Sequence, residues 1–221
     1  DVGVKVAIDK YEQHIPLARQ ARIATGHGLQ VGRNALYGLI ERMADELEPA
    51  HTAILDEIRR HAVIGVDQTG WPNLDSKGKK RWQVWCLTAP GLVGHVIRSD
   101  KSAATFDDLL SSYQGTVVCD ALSSHLAARR VRAGPITLAG CWAHARRKLK
   151  EVFDRDGSEI AAEGLRRIAE LYRIEAEIRG MGPGQRLSAR QARSAPPVAE
   201  FGDWLQAQRL RISAKSRLGE K

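Results

Sequence analysis

The chain has 221 residues, 43% hydrophobic and 27% charged, and its 34 Lys+Arg against 26 Asp+Glu give a net charge of +8. Such a composition describes a globular protein with a sizeable core and argues against a disordered chain. No apolar run approaches the ~18 residues of a membrane span and the N-terminus lacks the signal-peptide pattern, so the expected compartment is the cytoplasm, with no membrane partner. Three widely spaced cysteines, Cys86, Cys119 and Cys141, argue against a disulfide framework. The basic surplus favours a partner with a phosphate backbone.

The first sixty residues read as helical. VAIDKYEQH is amphipathic, Pro16 opens a second helix over PLARQARIAT, and GHG at 26–28 ends it. VGRNALYGLIERMADEL predicts a third helix. Pro49 is expected to interrupt it, with a fourth following over AHTAILDEIRRH. The Gly-containing turn before Gly32-Arg33-Asn34 resembles a helix-turn-helix, while the pattern by itself favours a plain helical bundle.

At Ala62 the periodicity changes to that of strands. VIGVD predicts a first strand ending at Asp67, and KRWQVWCLTA with LVGHVIRS, separated by Pro90-Gly91, predicts a hairpin. SAATFDDLLSSY is a helix capped by Ser102. TVVCD is a fourth strand ending at Asp120, SSHLAARRV a helix, PITLAGC a fifth strand and WAHARRKLKEVFD a basic helix. Beyond Gly157 come a long amphipathic helix, SEIAAEGLRRIAELYRIEAEIRG, a Gly/Pro/Ser/Arg-rich linker, GMGPGQRLSARQARSAPP, and a last helix over PPVAEFGDWLQAQRLRI. The expected fold is α/β: a ribonuclease-H-like mixed five-stranded sheet over residues 61–156, a helical segment over 1–60 and a helical region over 157–221.

Asp67 and Asp120 end two strands that are neighbours in such a sheet. A lone strand-end aspartate is ordinarily turn chemistry. Two converging carboxylates repel unless a cation sits between them, and their hard oxygens suit Mg²⁺ or Mn²⁺, metals that serve phosphodiester chemistry. On the helix after the fifth strand, Arg146, Arg147, Lys148 and Lys150 suit phosphate contacts, with Arg146 and Lys150 in one i, i+4 stripe. Cys141 and His144 share a helix face but supply only two of the four ligands a structural zinc needs. Glu151, on the same helix, is a candidate third carboxylate. Trp82 and Trp85, three apart on a strand, are expected on opposite faces, one in the core and the other towards Trp71. The outward ring is a candidate for base stacking.

KYEQHIPLARQ, LYGLIERMADELEP, DQTGW, CDALSSH, CWAHARRKLKEVFD and SAKSRLGE together resemble the transposases of the insertion-sequence-sixty-six family, bacterial Asp-Asp-Glu enzymes. The resemblance implies a ribonuclease-H-like core that cuts and joins DNA with two divalent metal ions, acting on transposon ends and target, as a homo-oligomer when full-length. Asp67 matches the first family carboxylate and Asp120 the second, while the resemblance gives His144 a contact with DNA or the active site. Gln68 stands where the family usually has Glu, and Ala121-Leu122 where it has Gly-Tyr. The family glutamate lies in an Asn-Asn…Glu-Arg segment that does not occur here, and Glu220 belongs to its lead-in. The expectation is a fragment truncated at both ends and inactive alone. Its rivals are a ribonuclease-H-like nuclease using Asp67, Asp120 and Glu151, and a non-catalytic DNA-binding remnant.

Overall fold

The computed structural model describes residues 1–72, 81–120 and 123–212. Lys80, Ala121-Leu122 and the SAKSRLGE segment with Glu220, on which parts of the sequence reading fall, lie outside the described residues. The chain divides into two compact units, Asp1–Thr116 and Val117–Lys221.

The first unit opens with three helices, α1 (Val2–Tyr11), α2 (Leu17–Gly26) and α3 (Arg33–Arg59). Val6, Leu17, Leu36 and Ile40 form their shared core. The buried Gln20 amide donates to the carbonyls of Val6 and Ile15 at 3.2 and 3.0 Å, which fixes α2 against the end of α1. Four helices were expected, but α3 runs unbroken through Pro49. Proline inside a helix forfeits one backbone hydrogen bond and crowds the preceding turn, at about 3 kcal/mol. Both halves of α3 are anchored: Leu36 and Ile40 in the helical core, Leu55 and Ile58 buried near the sheet, where Gly94 lies close under Leu55. Packing of both halves outweighs the local cost.

Strands β1 (Val63–Pro72), β2 (Arg81–Ala89) and β3 (Leu92–Arg98) form an antiparallel meander. Contrary to expectation, β1 does not stop at Asp67. It continues to Pro72, because Gln68 to Pro72 pair in register with Trp85 to Arg81. A paired ladder overrides the local turn signal of Gly70 and Pro72. One face of the ladder carries Ile64, Val66, Trp85, Leu87 and Val96, all buried. Helix α4 (Ala103–Leu109) follows, with Ser102 Oγ accepting from the Thr105 amide at 3.2 Å. Phe106 from α4 meets the fully buried Trp85 ring in a tilted contact at 6.3 Å. The unit is closed by Tyr113, whose hydroxyl donates within reach of the Ala62 and Thr116 carbonyls at 3.0 and 2.8 Å. Gly115 lies beneath it at φ +146°, where an added Cβ would come within 2.6 Å of the Ala62 carbonyl oxygen.

The second unit takes up the chain inside β4 (Gly115–Cys119) and continues through α5 (Ser123–Ala127), α6 (Arg129–Arg132), β5 (Ile136–Gly140), α7 (Trp142–Asp156) and α8 (Glu159–Glu177). The single helix expected over SSHLAARRV is two short ones. The five strands make one mixed sheet in the order β3-β2-β1-β4-β5. Gly157, left-handed at φ +61°, ends α7, and Ser158 caps α8 by accepting from the Ala161 amide. Helix α8 buries Ala161, Gly164, Ile168, Leu171 and Ile174 at helical spacing, with Gly164 tight against Leu149 of α7.

The expected linker over 180–197 is helical instead: α9 (Pro183–Ala189), a π turn over Arg190–Ser194, then α10 (Ala195–Arg211). Two sources of order were not visible in its Gly/Pro composition. Arg190 makes a two-pronged pair with Glu175 at 2.7 Å and Arg193 pairs with Glu177, both carboxylates on α8. Pro196 and Pro197 enter the first turn of α10, where their missing N–H groups cost least. Phe201 of α10 stacks on Trp142 at 5.8 Å and Arg167 lies over the Trp204 ring at 5.2 Å.

Two outcomes are expected here. Gly115→Ala destabilises by about 1–3 kcal/mol, the range for a side chain forced into strained backbone, read as a lower urea midpoint. The Asp100 carboxyl, held down to about 2 first by the Thr105 hydroxyl and then by Ser102, titrates near that value by NMR. Thr105→Val moves it up towards the ordinary carboxylate range. Since the folded value is depressed, this capping contribution is present above the unfolded value near 4 and is lost as pH falls towards 2.

Candidate active site

Alternation along β1 decides where Asp67 faces. Ile64 and Val66 point into the core, so Asp67, Thr69 and Trp71 take the other face, where all three are exposed. Asp67 Oδ1 accepts from the Gln68 amide at 2.9 Å, and directly across the ladder stands Cys86. Burial pushes the Cys86 thiol above its ordinary value, and the negative charge of Asp67 pushes it further.

In the second unit, Asp120 follows the last residue of β4. His125, from α5 and 0% exposed, puts Nδ1 3.4 Å from Asp120 Oδ1. The Cys141 amide donates to the Cys119 carbonyl at 2.9 Å, which fastens the start of α7 beside the end of β4. An open cleft of about 540 Å³ results, lined by Asp120, Gly140, Cys141, Trp142, His144 and Lys148 with Ala145. Three sequence candidates, Asp120, His144 and Lys148, thus share one cleft. His144 and Lys148 are one turn apart on the inner face of α7.

The other candidates on α7 lie elsewhere. Arg146 and Arg147 are exposed outside the cleft lining, and the exposed Lys150 pairs with Asp154. Glu151 is exposed one turn beyond Lys148 and is not among the lining residues. Cys141 lines the cleft with His144 a turn away, yet among the described residues no group of three or more His, Cys, Asp and Glu is arranged to hold a metal ion. In the sequence His125, five residues beyond Asp120 in CDALSSH, is an open candidate for a third ligand from that loop; what the structure adds is its full burial beside the carboxylate. Trp85 is in the core and Trp82 faces out opposite Trp71, as their spacing predicts.

A family model described as "Transposase IS66 family" matches residues 2–221. The chain belongs to the IS66 transposase family. Among curated proteins it is similar to two from Sinorhizobium fredii (strain NBRC 101917 / NGR234), both named as uncharacterized. It is 34% identical to y4jD over 99% of this chain and 28% identical to y4qI over 97%. This IS66-family chain spans less than half of either relative, 46% and 43% of their lengths. Among its described residues, no helix is long and apolar enough to cross a membrane.

The Asp67–Cys86 pairing makes a direct prediction. Iodoacetamide labels Cys86 more slowly at pH 8 than it labels a free thiol, because less thiolate is present. Asp67→Asn removes the repelling charge and speeds labelling, followed by peptide mass spectrometry.

Proposed function

We propose that this chain is the catalytic core of a DNA transposase with a ribonuclease-H-like sheet, in which Asp67 and Asp120 hold Mg²⁺ or Mn²⁺ at the phosphodiester to be cut. The observation that carries the reading is that the two carboxylates stand on β1 and just after β4, neighbours in the strand order, in a chain of the IS66 family. Carboxylate oxygens are the donor type such ions take, and two of them leave positions for water and phosphate. The bound ions would lower the pKa of an attacking water or 3′-hydroxyl and stabilise the leaving oxygen.

The protein's own groups supply position and charge. His125, closed to solvent, stands 3.4 Å from the Asp120 carboxylate and, when protonated, would orient it by charge. Lys148 and His144 flank the same cleft, where a cation and a donor suit the non-bridging phosphate oxygens. Arg146 and Arg147, free of the cleft, extend the positive surface to neighbouring phosphates. A second reading is favoured by one placement. Glu151 continues the helix face of His144 and Lys148, so it is the side chain on α7 suited to act as a third carboxylate.

Asp67→Asn or Asp120→Asn lowers Mg²⁺-dependent strand cleavage by about three orders of magnitude, with DNA affinity retained. Cleavage by both variants near the parent rate would falsify the assignment. Glu151→Gln abolishing cleavage to the same degree selects the second reading. For the chain itself, duplex affinity falls steeply between 50 and 200 mM salt, and Arg146→Ala with Arg147→Ala flattens the log–log slope by about two.

A further inference from the structure

Helices α2 and α3 are joined by residues 27–32, where Gly28 turns the chain at φ +84°. Leu17 and Ala21 of α2 share one core with Leu36, Leu39 and Ile40 of α3, and α1 adds Val6 to it. An α-helix advances about 100° per residue, so Asn34, Gly38 and Glu41 lie on the side of α3 away from Leu36 and Ile40. Asn34 is exposed and Tyr37, 52% exposed, borders that side. Gly38 has open space where a side chain would stand.

Charge is segregated on the same surface. Between Glu12 and Glu41 the chain has no acidic residue. The three arginines of that stretch, Arg19 and Arg22 on α2 and Arg33 at the start of α3, are all exposed. Lys5 of α1 and Arg59 of α3 are in ion pairs with Asp9 and Asp56, whereas among the described residues Arg19, Arg22 and Arg33 are in none. A surface clear of counter-charges across two helices and their turn is complementary to a polyanion. Carboxylates resume at Glu41, Asp45 and Glu46, so the complementary surface covers only the first two turns of α3. Those are the turns by which a recognition helix contacts base edges.

We propose that α2, the turn and the first two turns of α3 form a helix-turn-helix that reads duplex DNA, with α3 in the major groove and Arg19 and Arg22 on the phosphate backbone. The inference rests on the transposase reading for its ligand class, DNA, and uses neither Asp67 nor a metal ion. Arg33 offers the fork that suits a guanine edge and Asn34 the amide that suits an adenine edge. With no side chain at Gly38, the helix can approach the groove floor closely. From Asn34 to Arg59, α3 runs unbroken for about 38 Å at 1.5 Å per residue. The base pairs read are therefore held roughly one duplex turn away from the α3 end that packs near the sheet of Asp67.

The test is selection by the chain from a pool of duplexes randomised over about two helical turns, read by sequencing. Anisotropy then compares the enriched duplex with an unselected one at several salt concentrations. The chain is expected to enrich one motif and to bind it about a hundredfold or more over the unselected duplex. Asn34→Ala lowers that preference about five- to a hundredfold and relaxes selection at one base pair. Gly38→Glu, a better helix former placed in open space, abolishes the preference with circular dichroism unchanged. Arg19→Ala with Arg22→Ala weakens both duplexes alike and flattens the log–log salt slope by about two. A preference that survives both Asn34→Ala and Gly38→Glu overturns the proposal. So does a Gly38→Glu variant that keeps the preference and changes only the oligomeric state by light scattering, which assigns this face to protein contact. If the unaltered chain binds duplexes but enriches no motif, the transposase reading stands and the helix-turn-helix falls. If it binds no duplex, both fall.

Discussion

The alternation of β1 is the constraint from which the first unit's chemistry follows. Ile64 and Val66 are buried against Trp85 and Leu87, and side chains in a strand repeat every two residues. A slip of one residue would drive Asp67 into the core and lift Val66 into water, so the register is held by the full burial energy of that face. Asp67, Thr69 and Trp71 are therefore presented together as a consequence of what lies beneath them. Long pairing with β2 keeps this presentation rigid past Asp67, where a turn would have left the carboxylate on a loose end.

In the second unit a backbone hydrogen bond plays the corresponding part. The Cys141–Cys119 contact sets where α7 begins, and thereby which of its side chains reach Asp120. With the helix fixed there, His144 and Lys148 line the cleft, and the arginines between them turn outward. The basic cluster of CWAHARRKLK is thus split by helical geometry into a cleft-lining component and a surface component. His125, fully buried, brings its Nδ1 within 3.4 Å of the Asp120 carboxylate.

Much of this was legible in the chain. The five strands, the Ser102 cap, the hairpin at Pro90-Gly91 and the opposite fates of Trp82 and Trp85 all follow from periodicity and local chemistry. The failures share one cause, tertiary contacts overriding local signals. Pro49 reads as a stop because nothing local reveals that both halves of α3 are anchored. Asp67 reads as a strand end because the partners of Gly70 and Pro72, Gln83 and Arg81, lie on the next strand. Residues 180–197 read as a linker because their order comes from ion pairs to Glu175 and Glu177 on another helix. In the site, Asp120, His144 and Lys148 were identifiable by type and spacing. The burial of His125 beside that carboxylate was not, since burial has no sequence signature.

The π turn at Arg190–Ser194 has an effect at a distance. An α-helix advances about 100° per residue, so one extra residue in a turn rotates everything after it by that angle about the helix axis. Phe201 faces Trp142 because α10 carries that added rotation, and Trp142 is a wall of the Asp120 cleft. The turn therefore acts as an angular setting for the cleft. Removing a single residue from a stretch that touches no part of the site would swing Phe201 away and leave one side of the cleft without its backing.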